Sequence, residues 1–112
     1  MEKQREKRIK RMLMEMGITP ELRGYHLMVY EIGMIRQCLD SGMFSETLME
    51  IHAKAGEPYG IAARSVDRDI RHALGIGRNR SLKFAEVFNG YEDSVTVSCF
   101  IHTMAELLVL ED

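Results

Sequence analysis

No apolar run in this 112-residue chain approaches membrane-spanning length, because charged residues interrupt every long stretch. The first eleven residues are charged rather than apolar, so they do not read as a secretory signal. Cysteine is scarce: Cys38 and Cys99 stand isolated, without the paired spacing of zinc or redox sites. They read as buried thiols rather than a disulfide, which fits a cytoplasmic protein in a reducing compartment. His26, His52, His72 and His102 are scattered, and no grouping of Asp, Glu, His or Cys has ligand or triad spacing. Gly75-Ile76-Gly77 follows a helical pattern instead of opening one, so it is not a phosphate-binding loop. Catalysis, a metal and a cofactor are therefore not expected. There is no internal repeat, low-complexity tract or linker.

Basic residues are missing from the last quarter. Residues 84–112 hold no Lys or Arg against six acidic residues, and residues 13–60 hold three against seven. The positive charge gathers instead in residues 1–12 and residues 61–83, each with six Lys or Arg against two acidic residues. A net charge of −2 thus conceals two basic segments, and a local basic patch is what a polyanion meets. The length fits one small domain, and an apolar share of 46% suffices for one core.

The most informative stretch is Ile61 to Leu74. Wound at about 100° per residue, it places Val66, Ile70 and Ala73 on one side, with Leu74 at the margin. Arg64, Asp67, Arg68 and Arg71 fall on the opposite side. An aliphatic back with three arginines and a carboxylate in front suits a helix lying in a DNA major groove. Arginine grips guanine O6 and N7 with two hydrogen bonds, and a carboxylate accepts from cytosine N4. An ordinary amphipathic surface helix has the same periodicity, so this pattern alone leaves both readings open.

The rest of the chain is helical in pattern. Ile9, Met12, Leu13 and Met16 step at helical spacing, and Gly17 follows as a left-handed stop. Thr19-Pro20 predicts the cap and first residue of a second helix, with Leu22, Tyr25, Val29, Ile32 and Leu39 on one face, ending near Ser41-Gly42. Gly24 and Gly33 inside it mark close packing. Ser45 predicts the cap of a third helix with Phe44, Leu48, Ile51 and Ala55 on one face, broken by Gly56-Glu57-Pro58-Tyr59-Gly60. The arginine-bearing helix comes next, spanning about Ala62 to Gly75 or Gly77, with Arg78 and Arg80 at its C-terminal end. Helix, break and base-reading helix form a helix-turn-helix. A short helix about Leu82–Phe88 and a last one with Val97, Ile101, Met104 and Leu108 on one face complete an all-α bundle of about six helices.

Several of these segments together resemble the C-terminal DNA-binding effector domain of the sporulation-initiation response regulator, stage-zero sporulation protein A of endospore-forming bacteria. Val66-Asp67-Arg68-Asp69-Ile70-Arg71-His72-Ala73 is close to that family's recognition-helix run V-E-R-x-I-R-H-A. Met16-Gly17-Ile18 and Leu22-Arg23-Gly24-Tyr25 resemble its first loop and second-helix start; Phe88-Asn89-Gly90-Tyr91 resembles F-G-Y. Ser98-Cys99-Phe100-Ile101 through Met104-Ala105 resembles its last helix. The similarity spans roughly residues 8–112.

The resemblance implies a six-helix domain that binds short DNA boxes as a tandem pair and regulates transcription. Carried over by position, Arg68 is the guanine reader and Asp67 an acidic reader. Arg71 and His72 face the groove, and Arg78 and Arg80 fall near a post-helix arginine of the family. Ser65 stands where the family usually has arginine, and Asp67 where it has glutamate; Arg64, one residue earlier, compensates from another angle. The expected interface is therefore Arg64, Ser65, Asp67, Arg68, Arg71, His72, Arg78 and Arg80. Ala55–Gly60 departs from the family pattern, which implies either a lengthened turn or a first helix shifted toward Pro58–Arg64. Residues 1–8 are expected to form a charged arm or linker and residues 9–112 the effector domain. With no room in 112 residues for a receiver domain, the chain is either an excised effector domain or a stand-alone regulator. Expected partners are double-stranded DNA, RNA polymerase and, weakly, a second copy that pairs on DNA; a membrane is not. The rival function is a degenerate effector domain that modulates another regulator by protein contact without binding DNA.

Overall fold

A computed structural model describes residues 1–112. It contains six α-helices and no strand: α1 (Lys3–Glu15), α2 (Arg23–Ser41), α3 (Leu48–Gly56), α4 (Ala63–Arg80), α5 (Leu82–Val87) and α6 (Val97–Glu111). This is the all-α architecture that the periodicity predicts. The apolar stripe of α2 forms the centre, packing against α1, α3, α4 and α6. Leu27, Met28, Ile32 and Ile35 of α2 are buried with Ile9 and Leu13 of α1, Val66 and Ile70 of α4, and Phe100, Ile101 and Met104 of α6. Below α4 the rings of Phe84, Phe88 and Phe100 form a compact trio, with centroids 5.1 to 5.7 Å apart. No helix is long and apolar enough to cross a membrane.

Helix boundaries differ from the expected ones where two local signals compete. α2 begins at Arg23, not at Thr19-Pro20. The Leu22 N–H bonds back to the Thr19 carbonyl at 3.1 Å and closes a turn that delays the helix, while Ile18 anchors the turn in the core. The cap of α3 is Thr47, not Ser45: its hydroxyl accepts from the Glu50 N–H, and the Glu50 carboxylate accepts from the Thr47 N–H. That reciprocal pair satisfies two end donors together, which Ser45 cannot do without an acidic residue three positions on. Phe44 consequently lies outside α3 and is exposed, contrary to the core face expected of it. Cys38 and Cys99 are free thiols, each half-buried where full burial was expected. α1 begins at Lys3, inside the segment expected as an arm, and Arg5 and Arg8 of this turn pair with Asp40 and Asp112.

α4 also runs past its expected end at about Gly75 or Gly77, through both glycines to Arg80. Packing decides this. A Cβ on Gly77 would stand 2.6 Å from the Met16 carbonyl oxygen and 2.9 Å from Ile18 Cγ1, so glycine here lets the helix touch the α1–α2 loop. Gly24 does the same between α2 and α4, where a Cβ would meet the Asp69 carbonyl oxygen at 2.6 Å. Both glycines fix how α4 sits on the core.

Candidate nucleic-acid interface

α3, a single 3-10 turn over Glu57–Tyr59, Gly60 in left-handed conformation, and α4 form a helix-turn-helix pair. α3 ends at Gly56 and α4 begins at Ala63, so the first helix is not shifted toward Pro58–Arg64. Gly56 makes the bend possible, since a Cβ there would stand 2.4 Å from the Ile61 carbonyl oxygen. Beyond the turn, α4 buries Val66, Ile70, Ala73, Leu74 and Gly77, which holds its opposite face outward.

That outward face carries Arg64, Arg68, Arg71 and His72, all exposed. Arg68 donates to Ser65 Oγ at 3.2 Å, its one side-chain hydrogen bond within the protein, and half-buried Ser65 steadies the guanidinium from the helix flank. Arg71, with 73% of its side chain exposed, pairs with Asp67 one turn earlier. The four residues step along the helix at i, i+4, i+7 and i+8, so they occupy a single stripe.

The remaining expected residues fall outside the stripe. Asp67 is half-buried, and both its oxygens face protein partners: Oδ2 pairs with Arg71, and Oδ1 lies 3.4 Å from His52 Nε2 without a hydrogen bond. Arg78 turns toward the segment before α6. Its Nε–H donates to the Glu92 carbonyl at 2.8 Å, and its guanidinium lies 5.9 Å above the Phe84 ring. It also borders an open cleft of about 560 Å³ shared with Arg71, Ser94, Thr96 and Ser98. Arg80 points to the other side of the helix, donating to Thr19 Oγ1 at 3.1 Å and lying 3.5 Å from the Glu21 carboxylate. The eight expected residues therefore divide into an outward set and a set engaged by the protein itself.

Two residues behind the interface were not anticipated. Glu31 of α2 and His52 of α3 have no exposed surface, and His52 Nδ1–H donates to Glu31 Oε2 at 2.5 Å. Burial pushes the Glu31 carboxyl above the usual carboxylate range. Burial works against a charged His52, but the hydrogen bond and charge of Glu31, followed by Asp67, outweigh it and raise the imidazole above its ordinary value. The sequence holds a signal for this pair. Glu31 lies on the apolar stripe of α2, four residues from both Leu27 and Ile35, and His52 adjoins Ile51, where ionisable groups are costly without a partner. Nowhere do three or more His, Cys, Asp or Glu side chains converge as a metal site requires.

A helix-turn-helix whose second helix buries its aliphatic side and exposes basic side chains belongs to the class of nucleic-acid-binding domains. Residues 9–108 match the family described as sporulation initiation factor Spo0A C terminal, and the chain belongs to that family. The family is the DNA-binding effector domain of Spo0A-like regulators, a regulatory domain and not an enzyme. No curated protein and no solved structure matches the chain.

Proposed function

We propose that this chain is a sequence-specific transcription regulator that lays α4 in the DNA major groove. Arg64, Arg68, Arg71 and His72 face the base pairs, with Ser65 bracing Arg68. Arg78, whose Nη groups make no protein hydrogen bond, meets a phosphate across the cleft it shares with Arg71, and Arg80 secures the end of the helix. The observation that carries this reading is the stripe itself: four exposed cationic or polar side chains in register on a helix whose opposite side is locked into the core. One recognition helix spans only a few base pairs, so two copies pair on neighbouring sites, and RNA polymerase is the partner through which binding becomes regulation.

Selection from a random duplex pool at physiological salt, followed by sequencing of the retained DNA, supplies the site. On that site Arg68→Ala is expected to cost roughly 1–3 kcal/mol, with much less lost on random DNA. Arg78→Ala is expected to weaken both duplexes alike and to lower the salt slope by about one unit. Base edges carry sequence and phosphates do not, which is why the two arginines separate. Equal losses on both duplexes for Arg68→Ala would refute base reading by α4. Failure of the wild-type protein to retain any duplex would replace this reading by the protein-contact function.

A further inference from the structure

The Glu31–His52 pair connects the protein interior to the outward stripe. From Glu31 of α2 the contacts run to His52 of α3, from His52 Nε2 to Asp67 of α4, and from Asp67 to Arg71 one turn on. The first two side chains are wholly buried, Asp67 is half-buried and Arg71 is exposed. His52 Nε2 has no hydrogen-bond partner, and the nearest acceptor it faces is Asp67 Oδ1 at 3.4 Å. Charges alternate along this row when His52 is protonated, so each member holds the next.

We propose that Glu31 and His52 are positioning residues for DNA recognition, holding Asp67 as a bridge that sets Arg71 in its groove-facing geometry, so that Asp67 acts on Arg71 and does not itself read a base. This rests on the reading of α4 as the DNA-facing helix. Three features support it. Both oxygens of Asp67 are already directed at protein partners, which leaves it poorly placed to accept from cytosine. The pair lies where α2, α3 and α4 meet, so it references the Arg71 guanidinium to the core and not to a mobile surface. An exposed arginine keeps several rotamers, and fixing one before binding removes an entropy cost from the specific complex.

The groups that face His52 are Glu31 from α2 and Asp67, backed by Arg71, from α4. Loss of the His52 proton puts an acceptor lone pair opposite the Asp67 carboxylate and frees Asp67 together with Arg71. Specificity is therefore expected to decline as pH rises through the elevated His52 value, while affinity for random DNA changes little.

The test uses the whole chain in three forms: wild type, His52→Gln and Asp67→Asn. The first readout needs no DNA. The Arg71 Nε–H resonance is expected to be ordered in the wild type on the nanosecond timescale and mobile in both variants. The second is the ratio of affinity for the selected duplex to affinity for random duplex. Each variant is expected to lose roughly tenfold in that ratio, the scale of one base contact, and the double variant no more than either single one. Asp67 is on the surface side of the row, so Asp67→Asn keeps the test intact even where His52→Gln destabilises the fold. Unchanged Arg71 mobility in Asp67→Asn, or additive losses in the double variant, would overturn the inference. If Arg68→Ala abolishes selectivity while Asp67→Asn and His52→Gln leave it whole, α4 reads DNA without this device. If Arg68→Ala leaves selectivity intact, the reading of α4 itself fails, whatever the Arg71 resonance shows.

Discussion

Gly75 and Gly77 lie two residues apart near the end of α4, and the same substitution is expected to act on them with opposite sign. A Cβ at Gly75 meets no atom within 4 Å. Its φ is not positive, so alanine adopts the same backbone without strain. What remains is the entropy that glycine loses on entering a helix, and Gly75→Ala is expected to stabilise by about 0.5–1 kcal/mol. At Gly77 the new methyl would be 2.6 Å from the Met16 carbonyl oxygen and 2.9 Å from Ile18 Cγ1. Those separations are roughly 1 Å short of a comfortable contact, and the nearer atom is backbone, which cannot rotate away. Gly17 opposite is also close, with a Cβ there 3.0 Å from the Gly77 carbonyl oxygen, so the facing backbone has little room to yield. Overpacking of this kind costs about 1–3 kcal/mol, more than the propensity gain returns. The propensity gain is common to both variants, so the gap between them is the overpacking cost of about 1–3 kcal/mol, or a Tm difference on the order of 10 °C for a domain of this size. Urea unfolding at 25 °C measures it directly. A Gly77→Ala protein as stable as the wild type would show that the α4–loop contact is loose, and a destabilised Gly75→Ala would refute the open surface assigned to it.

Two further outcomes follow from capping and from the buried pair. Thr47→Ala is expected to lower stability by about 1 kcal/mol through loss of the reciprocal cap on α3, and Ser45→Ala by less than about 0.5 kcal/mol; denaturant midpoints of equal m-value decide between them. Stability is expected to fall as pH rises above the ordinary histidine range, because His52 binds its proton more tightly folded than unfolded. The His52 contribution is complete below the ordinary histidine range and is lost as pH rises through its raised folded value. A pH series of urea midpoints should show this slope in the wild type and its loss in His52→Gln; a rise over the same window would refute it.

How far the sequence predicts the fold depends on which signal carries each element. The apolar face of α4 is legible because four apolar side chains repeat at helical spacing, and Val66, Ile70, Ala73 and Leu74 are indeed buried. The apolar face of α6 is legible for the same reason: Val97, Ile101, Met104 and Leu108 are buried. Helix ends are harder, because a cap is one residue and the neighbourhood offers several. Ser45 and Thr47 are equivalent by residue type, and only Glu50 three positions beyond Thr47 distinguishes them. Gly75 and Gly77 carry the usual signature of a helix end, yet the helix continues because the Met16–Ile18 backbone packs against it. That contact joins residues some sixty positions apart and leaves no local trace. The Glu31–His52 pair is intermediate: each residue is anomalous on its own apolar stripe, but only the fold brings the two anomalies together.

The same distinction governs the arginines, on which the functional reading turns. Local basic charge marks residues 61–83 as the proposed binding segment, but it does not say which guanidinium faces outward. The fold assigns partners to several of them: Arg23 pairs with Asp69 at 2.8 Å, Arg36 with Asp40 at 2.9 Å and Asp112 at 2.6 Å, Arg78 holds the Glu92 carbonyl and Arg80 holds Thr19. Arg36 in turn, followed by Arg5, holds the Asp40 carboxyl below the usual carboxylate range. These contacts hold the helices against one another; Arg23 and Arg36 are paired with carboxylates, while Arg78 is held by a neutral oxygen and keeps its charge, and Arg80 donates to a neutral oxygen beside the Glu21 carboxylate. Arg64 and Arg68 keep their charge toward solvent, and Arg71 keeps most of its surface while tethered to Asp67. Counting charge along the sequence therefore does not separate Arg78 and Arg80, which are held by the protein, from the outward stripe of α4. The residues that remain on the α4 stripe after internal partners are assigned are fewer, and they are spaced by the helix itself, which is the property a reader of successive base pairs requires.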